Sequence, residues 1–397
     1  MSKDLDSYRT FPQKKIMYVI DSLANIGGTE RVLIDKMNYL ASNGFKVIVV
    51  TYQQGLHSFP YYISPLIKHI DTNTRFCLLY KYNFLIRIYK RWKLKNLYLQ
   101  RMQEIVDNEI PDFIIITTYG IPTCGIVINL KTTAKFIAEA HIPKSKTAEG
   151  KANSKNPFRR LFDLIKNEYE CHKISAFDLL VVLTKSAAND WIKIAKRCIV
   201  IPNLVTFYPE TIPNKTMTKK RIISVGRLVP QKSFDKLINA FALIEDKCKD
   251  WHLDIFGSGE NDKYTSSLVK LISKLHLHNQ ITIHPATDNI YDEYMASDFY
   301  VMSSRFEGMP LVLIEAMSCG LPCVSFRCKY GPEDIIEDGK TGLLVTNGNI
   351  NELAEKILWM CKNEKERVIM GQNARESSKK YQASEIMPKW TDLFCDN

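Results

Sequence analysis

Twice in 397 residues a short apolar run leads into a glycine-bearing loop and then into apolar residues spaced four and three apart. The first copy has the run at 16–20, the loop at 21–28 ending in Gly27-Gly28, and then Leu33, Met37 and Leu40. The second has the run at 221–225, the loop at 226–231, and then Leu237, Phe241 and Ile244. Spacing of four and three puts those side chains on one face of a helix, and a short bounded apolar run suits a strand buried on both faces. The repeated unit is therefore strand, loop, helix, strand. Such units close as right-handed crossovers into a parallel sheet. One copy in each half of the chain points to an α/β protein of two doubly wound, Rossmann-like domains facing across a cleft, with a ligand site between them.

The expected boundaries are 1–202 for the first domain, 203–220 for a linker marked by Pro209 and Pro213, 221–375 for the second domain, and 376–397 for a C-terminal helix packing back on the first. Thr29 is expected to cap the first helix. Further strands are expected at 45–51, 111–118, 136–143, 179–183, 198–201, 251–256, 281–283, 298–302, 322–325 and 342–345, with helices at 185–196, 261–274 and through most of 351–390. The polar stretch 144–160 reads as a mobile loop.

Charge separates the two halves. Residues 1–200 hold 30 Lys and Arg against 17 Asp and Glu, while 201–397 hold 24 against 26, so an anionic partner is expected at the first half only. The excess concentrates at 75–101, where eight cations stand among aromatic residues and no acid occurs between Asp71 and Glu104. This composition fits an amphipathic helix on an anionic membrane surface, with Lys81, Arg87, Lys90, Arg91, Trp92, Lys93 and Lys95 facing it. The same residues would suit a nucleic-acid groove, or a solvated helix with one packed side. Residues 1–15 are charged and lack the apolar centre of an export signal, and no run reaches the ~18–20 apolar residues of a membrane span. Ten cysteines form no C-x-x-C pair, and Cys319, Cys323 and Cys328 are expected as buried thiols in a reducing cytosol.

The chemistry-bearing stretch is 305–317. A strand exit at Ser303-Ser304 is followed by a Gly/Pro-punctuated loop carrying Glu307 and a helix-forming run carrying Glu315. Open α/β sheets place ligands at the carboxyl ends of strands, and the helix N-terminus after Gly308 is ready for an anion. A helix starting near Met309 separates the two glutamates by roughly 9–12 Å along its axis. That suits a ligand with two hydroxyl-rich ends and an anionic middle, such as a nucleotide-sugar, although two surface glutamates on a solvated helix would give the same spacing. Arg227 and Lys232 flank the loop after the second half's first strand, where two cations can hold a diphosphate. Glu139 and His141 lie at a strand end. Asp4-Leu5-Asp6 reads as a chance D-x-D ahead of the first strand.

Taken as a set, four segments resemble the retaining GT-B glycosyltransferases of family 4: G-R-L-x-x-x-K at 226–232, F-G-x-G at 256–259, S-x-x-E-G-x-P-L-V-L-I-E-A within 303–316, and G-P-x-x-I-I-x-D-G-x-x-G-L-L-V at 331–345. The resemblance covers most of the second domain. In the first it rests on Gly27-Gly28 and on His141. It implies a GT-B fold whose second domain binds a nucleoside-diphosphate sugar, a UDP-sugar being favoured, and whose first domain binds the acceptor. Arg227 and Lys232 match the diphosphate-binding pair, Glu315 the ribose-binding glutamate, and Glu307 the glutamate facing the donor sugar. Gly308, Met309, Pro310 and Leu311 would meet sugar and phosphate through their backbone, Gly27 and Gly28 would lie near the phosphates, and His141 matches a histidine touching the donor sugar. On this resemblance the catalytic set is Glu307, Arg227, Lys232 and His141. The family retains anomeric configuration and uses no metal or other cofactor. The last of the four segments is similar to that of members building bacterial surface polysaccharide or lipopolysaccharide. That implies a glycan or lipid-linked acceptor, no nucleic acid, and a place in the cytoplasm, peripheral on the inner face of the cell membrane. Two other classes remain compatible with the residues: a basic membrane- or nucleic-acid-binding protein, and a GT-B phosphorylase or epimerase.

Overall fold

The computed structural model describes residues 14–25, 27–117, 126–141, 172–212, 219–259 and 262–395. The Asp4/Asp6 pair, the 144–160 stretch and the middle of the expected linker, 213–218, lie outside the described residues. The chain forms two compact units. One holds the described residues up to Leu183, Ala188–Ile201, and those from Met387 on; the other holds Thr184–Ala187 and Pro202–Ile386.

In the first unit the order is β1 (Lys15–Ile20), α1 (Gly28–Ser42), β2 (Lys46–Thr51), β3 (Lys68–Asp71), a 3-10 turn (Phe76–Lys81), α2 (Phe84–Glu109), β4 (Phe113–Thr117), β5 (Lys135–Ala140) and β6 (Leu179–Val182), then α3 (Lys185–Trp191) and β7 (Cys198–Val200). The sheet runs β3-β2-β1-β4-β5-β6-β7 with every pairing parallel. Strands inside such a sheet are covered on both faces, which is why β1 and β4 are apolar without alternation: all of Phe113–Thr117 is buried. Leu33, Met37 and Leu40 lie along the buried face of α1. Phe394, near the end of the last helix, sets its ring 5.1 Å from Phe113 and 5.9 Å from Phe45.

The second unit continues with β8 (Arg221–Val225), α4 (Phe234–Ala242), β9 (His252–Phe256), α5 (Asp262–Lys274), β10 (Ile281–His284), α6 (Ile290–Met295), β11 (Phe299–Met302) and α7 (Leu311–Ser318). Then come β12 (Cys323–Phe326), α8 (Pro332–Ile335), β13 (Gly342–Val345), α9 (Ile350–Lys362) and α10 (Glu364–Ser378), followed by α11 (Ala383–Cys395), which belongs to the first unit from Met387 on. Its sheet, β10-β9-β8-β11-β12-β13, is again wholly parallel and reverses direction at β8/β11. Leu237 and Phe241 pack with Leu253, Ile255, Phe299 and Val301 in its core. Both units are thus doubly wound, each with a topological switch point.

Three local expectations need correction. α1 is capped by Gly27, and Thr29 lies inside the helix: Gly27 O already accepts the N–H of Arg31 at 3.1 Å. A side chain at Gly27 would meet the Glu30 carboxylate at 2.3 Å, so glycine lets an acid fold over the helix start, where its charge is favoured. β3 and α6 were not expected. β3 reads Lys-His-Ile-Asp on a sheet edge and pairs with β2 alone, so it carries no continuous apolar run. α6 is one and a half turns long, too short for periodicity to register. Among the described residues no helix is long and apolar enough to cross a membrane. Cys319, Cys323 and Cys328 are all buried.

Leu237 is fully buried and Leu243, just past the end of α4, is 55% exposed. Leu237→Ala should lower unfolding stability by about 2–5 kcal/mol in urea titrations, and Leu243→Ala by less than about 1 kcal/mol.

Candidate active site

In the second unit, β8 and β11 are adjacent parallel strands, so the loops leaving them run side by side. The loop after β8 begins at Gly226, and the loop after β9 presses against it. A Cβ at Gly257 would stand 1.9 Å from Gly226 O, a backbone atom that cannot swing away. Leu228 N–H donates to Ser258 O at 2.9 Å, fixing the two loops together.

Four hydrogen bonds then tie the β8 loop to the β11 loop. Arg305 N–H donates to Gln231 O at 2.9 Å, Gln231 Nε2 to Phe306 O at 2.9 Å, Ser303 Oγ to Lys232 O at 2.9 Å, and Arg305 Nε to Ser233 Oγ at 2.7 Å. Their result is an ion pair. Lys232 Nζ lies 2.7 Å from Glu307 Oε1, with the two side chains only 14% and 10% exposed. The Glu307 backbone is held from its other side, its N–H donating to Lys329 O at 3.0 Å. Arg227 stands exposed on the same loop as Lys232. Ser304, between the strand exit and Glu307, is buried, and its hydroxyl has no hydrogen-bond partner among the described residues. Such an orphan is the kind of group a ligand or a water satisfies.

Gly308, Met309 and Pro310 bring the chain to Leu311, the first residue of α7. Pro310 occupies the cap position, and no side chain caps the helix, so its first N–H groups are the anion-seeking ones. Met309 is buried and its Sδ accepts the Asn203 N–H at 3.2 Å. Gly331, at φ +95°, meets this turn closely: a Cβ there would lie 2.4 Å from Pro310 Cδ.

Glu315 is buried on α7, one turn further in. Its Oε1 lies 3.4 Å from Thr206 Oγ1 and 3.5 Å from the Tyr291 hydroxyl, and those two hydroxyls are 2.6 Å apart. The Phe207 ring sits 4.0 Å from that of Tyr291. Thr206 and Phe207 come from the stretch expected as linker, which packs with the second unit from 202 onward. Nearby phenols register the negative field of the glutamates. Tyr294 is pushed well up by burial and then by Glu315; Tyr300 is pushed well up mainly by burial, with Glu307 and Glu315 adding to it.

The remaining sites lie in the first unit. Gly27 and Gly28 stand at the start of α1, after β1. His141 follows the end of β5, its Nε2 3.0 Å from Glu139 Oε2. Glu139 in turn makes a short ion pair through Oε1 with Lys36 of α1, and both side chains are 2% exposed. The Lys36 ammonium also lies 3.9 Å from the Trp390 ring centroid. Burial would raise the Glu139 carboxyl, but Lys36 and His141 outweigh it and hold it below its ordinary value. His141 Nδ1 is buried without a partner among the described residues. Lys81, Arg87, Arg91, Trp92, Lys93 and Lys95 are exposed on the 3-10 turn and α2, and Lys90 is half-buried.

The structure therefore brings Arg227, Lys232, Glu307, 308–311 and Glu315 together in one unit, and places Gly27, Gly28 and His141 in the other. Sequence reasoning missed Thr206, Tyr291 and Lys36. Thr206 stood in a Pro/Thr-rich stretch, Tyr291 in a short polar segment, and a lysine on a helix ordinarily faces water, so none carried a signal.

Two family models match the chain: one described as "Glycosyltransferase Family 4" over residues 26–206, and one as "Glycosyl transferases group 1" over residues 210–377. An uncharacterized glycosyltransferase of Haemophilus influenzae is 27% identical, covering 96% of this chain and 100% of its own length. The amylovoran biosynthesis glycosyltransferase AmsD of Erwinia amylovora is 26% identical over 96% of this chain and 99% of its own. Among solved structures, the Anabaena protein HepE in complex with UDP and glucose superposes with a TM-score of 0.72 at 19% identity, covering 96% of this chain and 99% of that one.

Glu139→Gln leaves Lys36 charged and unpaired in the interior. It should cost about 3–5 kcal/mol in unfolding free energy at neutral pH. Because the folded carboxyl sits below its ordinary 4.5, its contribution is complete above that value and is lost as pH falls through the folded value. Urea titrations from pH 7 down to the acid limit should show the wild-type advantage shrinking over that acid window.

Proposed function

Because the chain belongs to the GT-B glycosyltransferases of the family 4 type, we propose that it transfers a sugar with retention of configuration, from a UDP-sugar to a glycan or lipid-linked glycan acceptor of surface polysaccharide synthesis. The observation that carries this reading is the Lys232–Glu307 pair at 2.7 Å, beside the uncapped start of α7 and one turn from buried Glu315. In the reading proposed, the donor diphosphate takes Lys232, Arg227 and the first N–H groups of α7. Glu315 receives the ribose hydroxyls, in the place where the Thr206 and Tyr291 hydroxyls already converge on it. Glu307, released in part from Lys232, accepts from hydroxyls of the transferred sugar.

The chemistry then follows from charge. The bond between the anomeric carbon and the β-phosphate oxygen breaks, and negative charge grows on that oxygen. Fixed cations and N–H dipoles stabilise it more than they stabilise the ground state. The acceptor oxygen bonds to the anomeric carbon on the face the diphosphate leaves, and its proton passes to the departing phosphate. Lys232, Arg227 and the helix start supply the positive field that a metal supplies in other transferases, so the reaction is proposed as metal-independent. HepE, which holds UDP and glucose, supports a UDP-sugar donor; AmsD, named for amylovoran biosynthesis, supports a surface-polysaccharide product. A lipid-linked acceptor would place the enzyme at the inner face of the cell membrane.

The test is transfer from labelled UDP- and GDP-sugars to membrane extract, with the product anomer read by NMR. A UDP-sugar should react with retention, and EDTA should leave the rate unchanged. Glu307→Ala and Lys232→Ala should each lower kcat by about 10²–10³-fold with the melting temperature kept within a few degrees. Inversion, or full activity in both variants, would overturn the reading.

A further inference from the structure

The first half of α2 is exposed in a way that a solvated helix does not require. Its second half is an ordinary packed helix: Tyr98, Met102 and Val106 are buried, and the Tyr98 ring meets Tyr52 at 5.4 Å and Phe76 at 5.9 Å. The start is equally well made. Asn83 Oδ1 accepts the Ile86 N–H at 3.1 Å, and Arg87 donates to Tyr82 O at 2.9 Å. Between these two fixed ends, Phe84, Leu85, Ile88, Tyr89 and Trp92 are 54–77% exposed. Large apolar side chains left contiguous in water mark an interaction surface.

Their placement on the helix says what kind. At 3.6 residues per turn these five fall within an arc of about 140°. Tyr89 and Trp92 stack along it, ring centroids 6.5 Å apart. Arg87, Lys90, Arg91 and Lys93 occupy the rest of the circumference, while Lys95 falls within the arc but beyond Trp92, at the C-terminal edge of the apolar patch. Ile86 is the exposed apolar side chain that falls outside the arc. With Ile86 and Lys95 as the exceptions, apolar and cationic groups are thus segregated by face. A single-stranded nucleic acid would want rings and cations interleaved on one face, and gains little from aliphatic Leu85 and Ile88. A second copy would bring two acid-free basic segments together, against charge repulsion. An anionic bilayer takes both faces at once: aliphatic and aromatic side chains enter the headgroup boundary, and cations pair with lipid phosphates.

We propose that residues 84–95 of α2 are a docking element for an anionic lipid surface, with Phe84, Leu85, Ile88, Tyr89 and Trp92 entering the interface and Arg87, Lys90, Arg91, Lys93 and Lys95 holding headgroup phosphates. The proposal rests on the reading of the chain as a transferase serving a membrane-held acceptor. It refines the sequence expectation, which put Trp92 and the cations in one class: Trp92 inserts, and the cations flank.

The experiment is vesicle flotation of the full chain. Phosphatidylcholine vesicles are compared with mixed phosphatidylcholine–phosphatidylglycerol vesicles at low and physiological salt, alongside hydrolysis of a soluble UDP-sugar. The expected result is binding to the mixed vesicles, weakened by salt, with a blue shift of tryptophan emission. Leu85→Ser with Trp92→Ser, or Arg87→Glu with Arg91→Glu, should each weaken binding by about tenfold or more. Both double variants should keep wild-type circular dichroism and wild-type hydrolysis. No flotation, equal binding to phosphatidylcholine alone, or unchanged binding in either variant overturns the proposal. So does tighter binding to single-stranded RNA in the same buffer, or self-association abolished by the same substitutions. Absence of UDP-sugar hydrolysis in the wild type counts against the transferase reading and leaves the vesicle result to be judged by itself.

Discussion

β8 pairs in parallel with β9 on one side and with β11 on the other, and the helices that follow β8 and β11 leave in opposite senses. That reversal opens a crevice at the carboxyl ends of the two strands, and the candidate site of the second unit is built around it. Gly226 and Gly257 let the neighbouring loops touch backbone to backbone. Four loop-to-loop hydrogen bonds then hold 226–233 against 303–310, and the Lys232–Glu307 pair is a consequence of that seam rather than an independent feature. Two sequence segments 75 residues apart meet because the strands that precede them, β8 and β11, are paired side by side.

The two units use buried charge differently. Lys232 and Glu307 keep 14% and 10% of their side-chain surface exposed, against 2% for each of Lys36 and Glu139, so water screens their attraction more. Lys36 and Glu139 are closed in by Trp390 and Tyr18, with His141 taking the second carboxylate oxygen. There the pairing is a condition of folding, since either charge alone would face a dry interior. Burial pulls the Lys36 ammonium below its ordinary value, against the opposing pull of Glu139. The first arrangement suits a binding site, and the second a strut that fixes where β5 ends and how His141 is turned.

Periodicity made the helices and inner strands legible, because apolar side chains must repeat every 3.6 residues on a packed helix and run unbroken in a strand covered on both faces. It was silent for β3, whose edge position leaves Lys68 in water, and for α6, which is shorter than two turns. Arg227, Lys232, Glu307 and Glu315 were legible because loops and helix starts beside glycine and proline have few structural uses for such charges. Thr206 and Tyr291 were not, since they converge on Glu315 across 109 and 24 positions of chain.

By itself, the amino-acid sequence determined two parallel α/β units, the loops that carry charge, and a basic segment without acids between Asp71 and Glu104 in the first half. Those are local matters of spacing and composition. Only the tertiary structure decided which charges meet: that Lys232 faces Glu307, that Lys36 is buried on Glu139, and that the apolar side chains of 84–92 stay uncovered. Pairing across long stretches of chain depends on sheet order and register, and burial depends on what packs above a residue; neither leaves a mark on the residue's own neighbours in sequence.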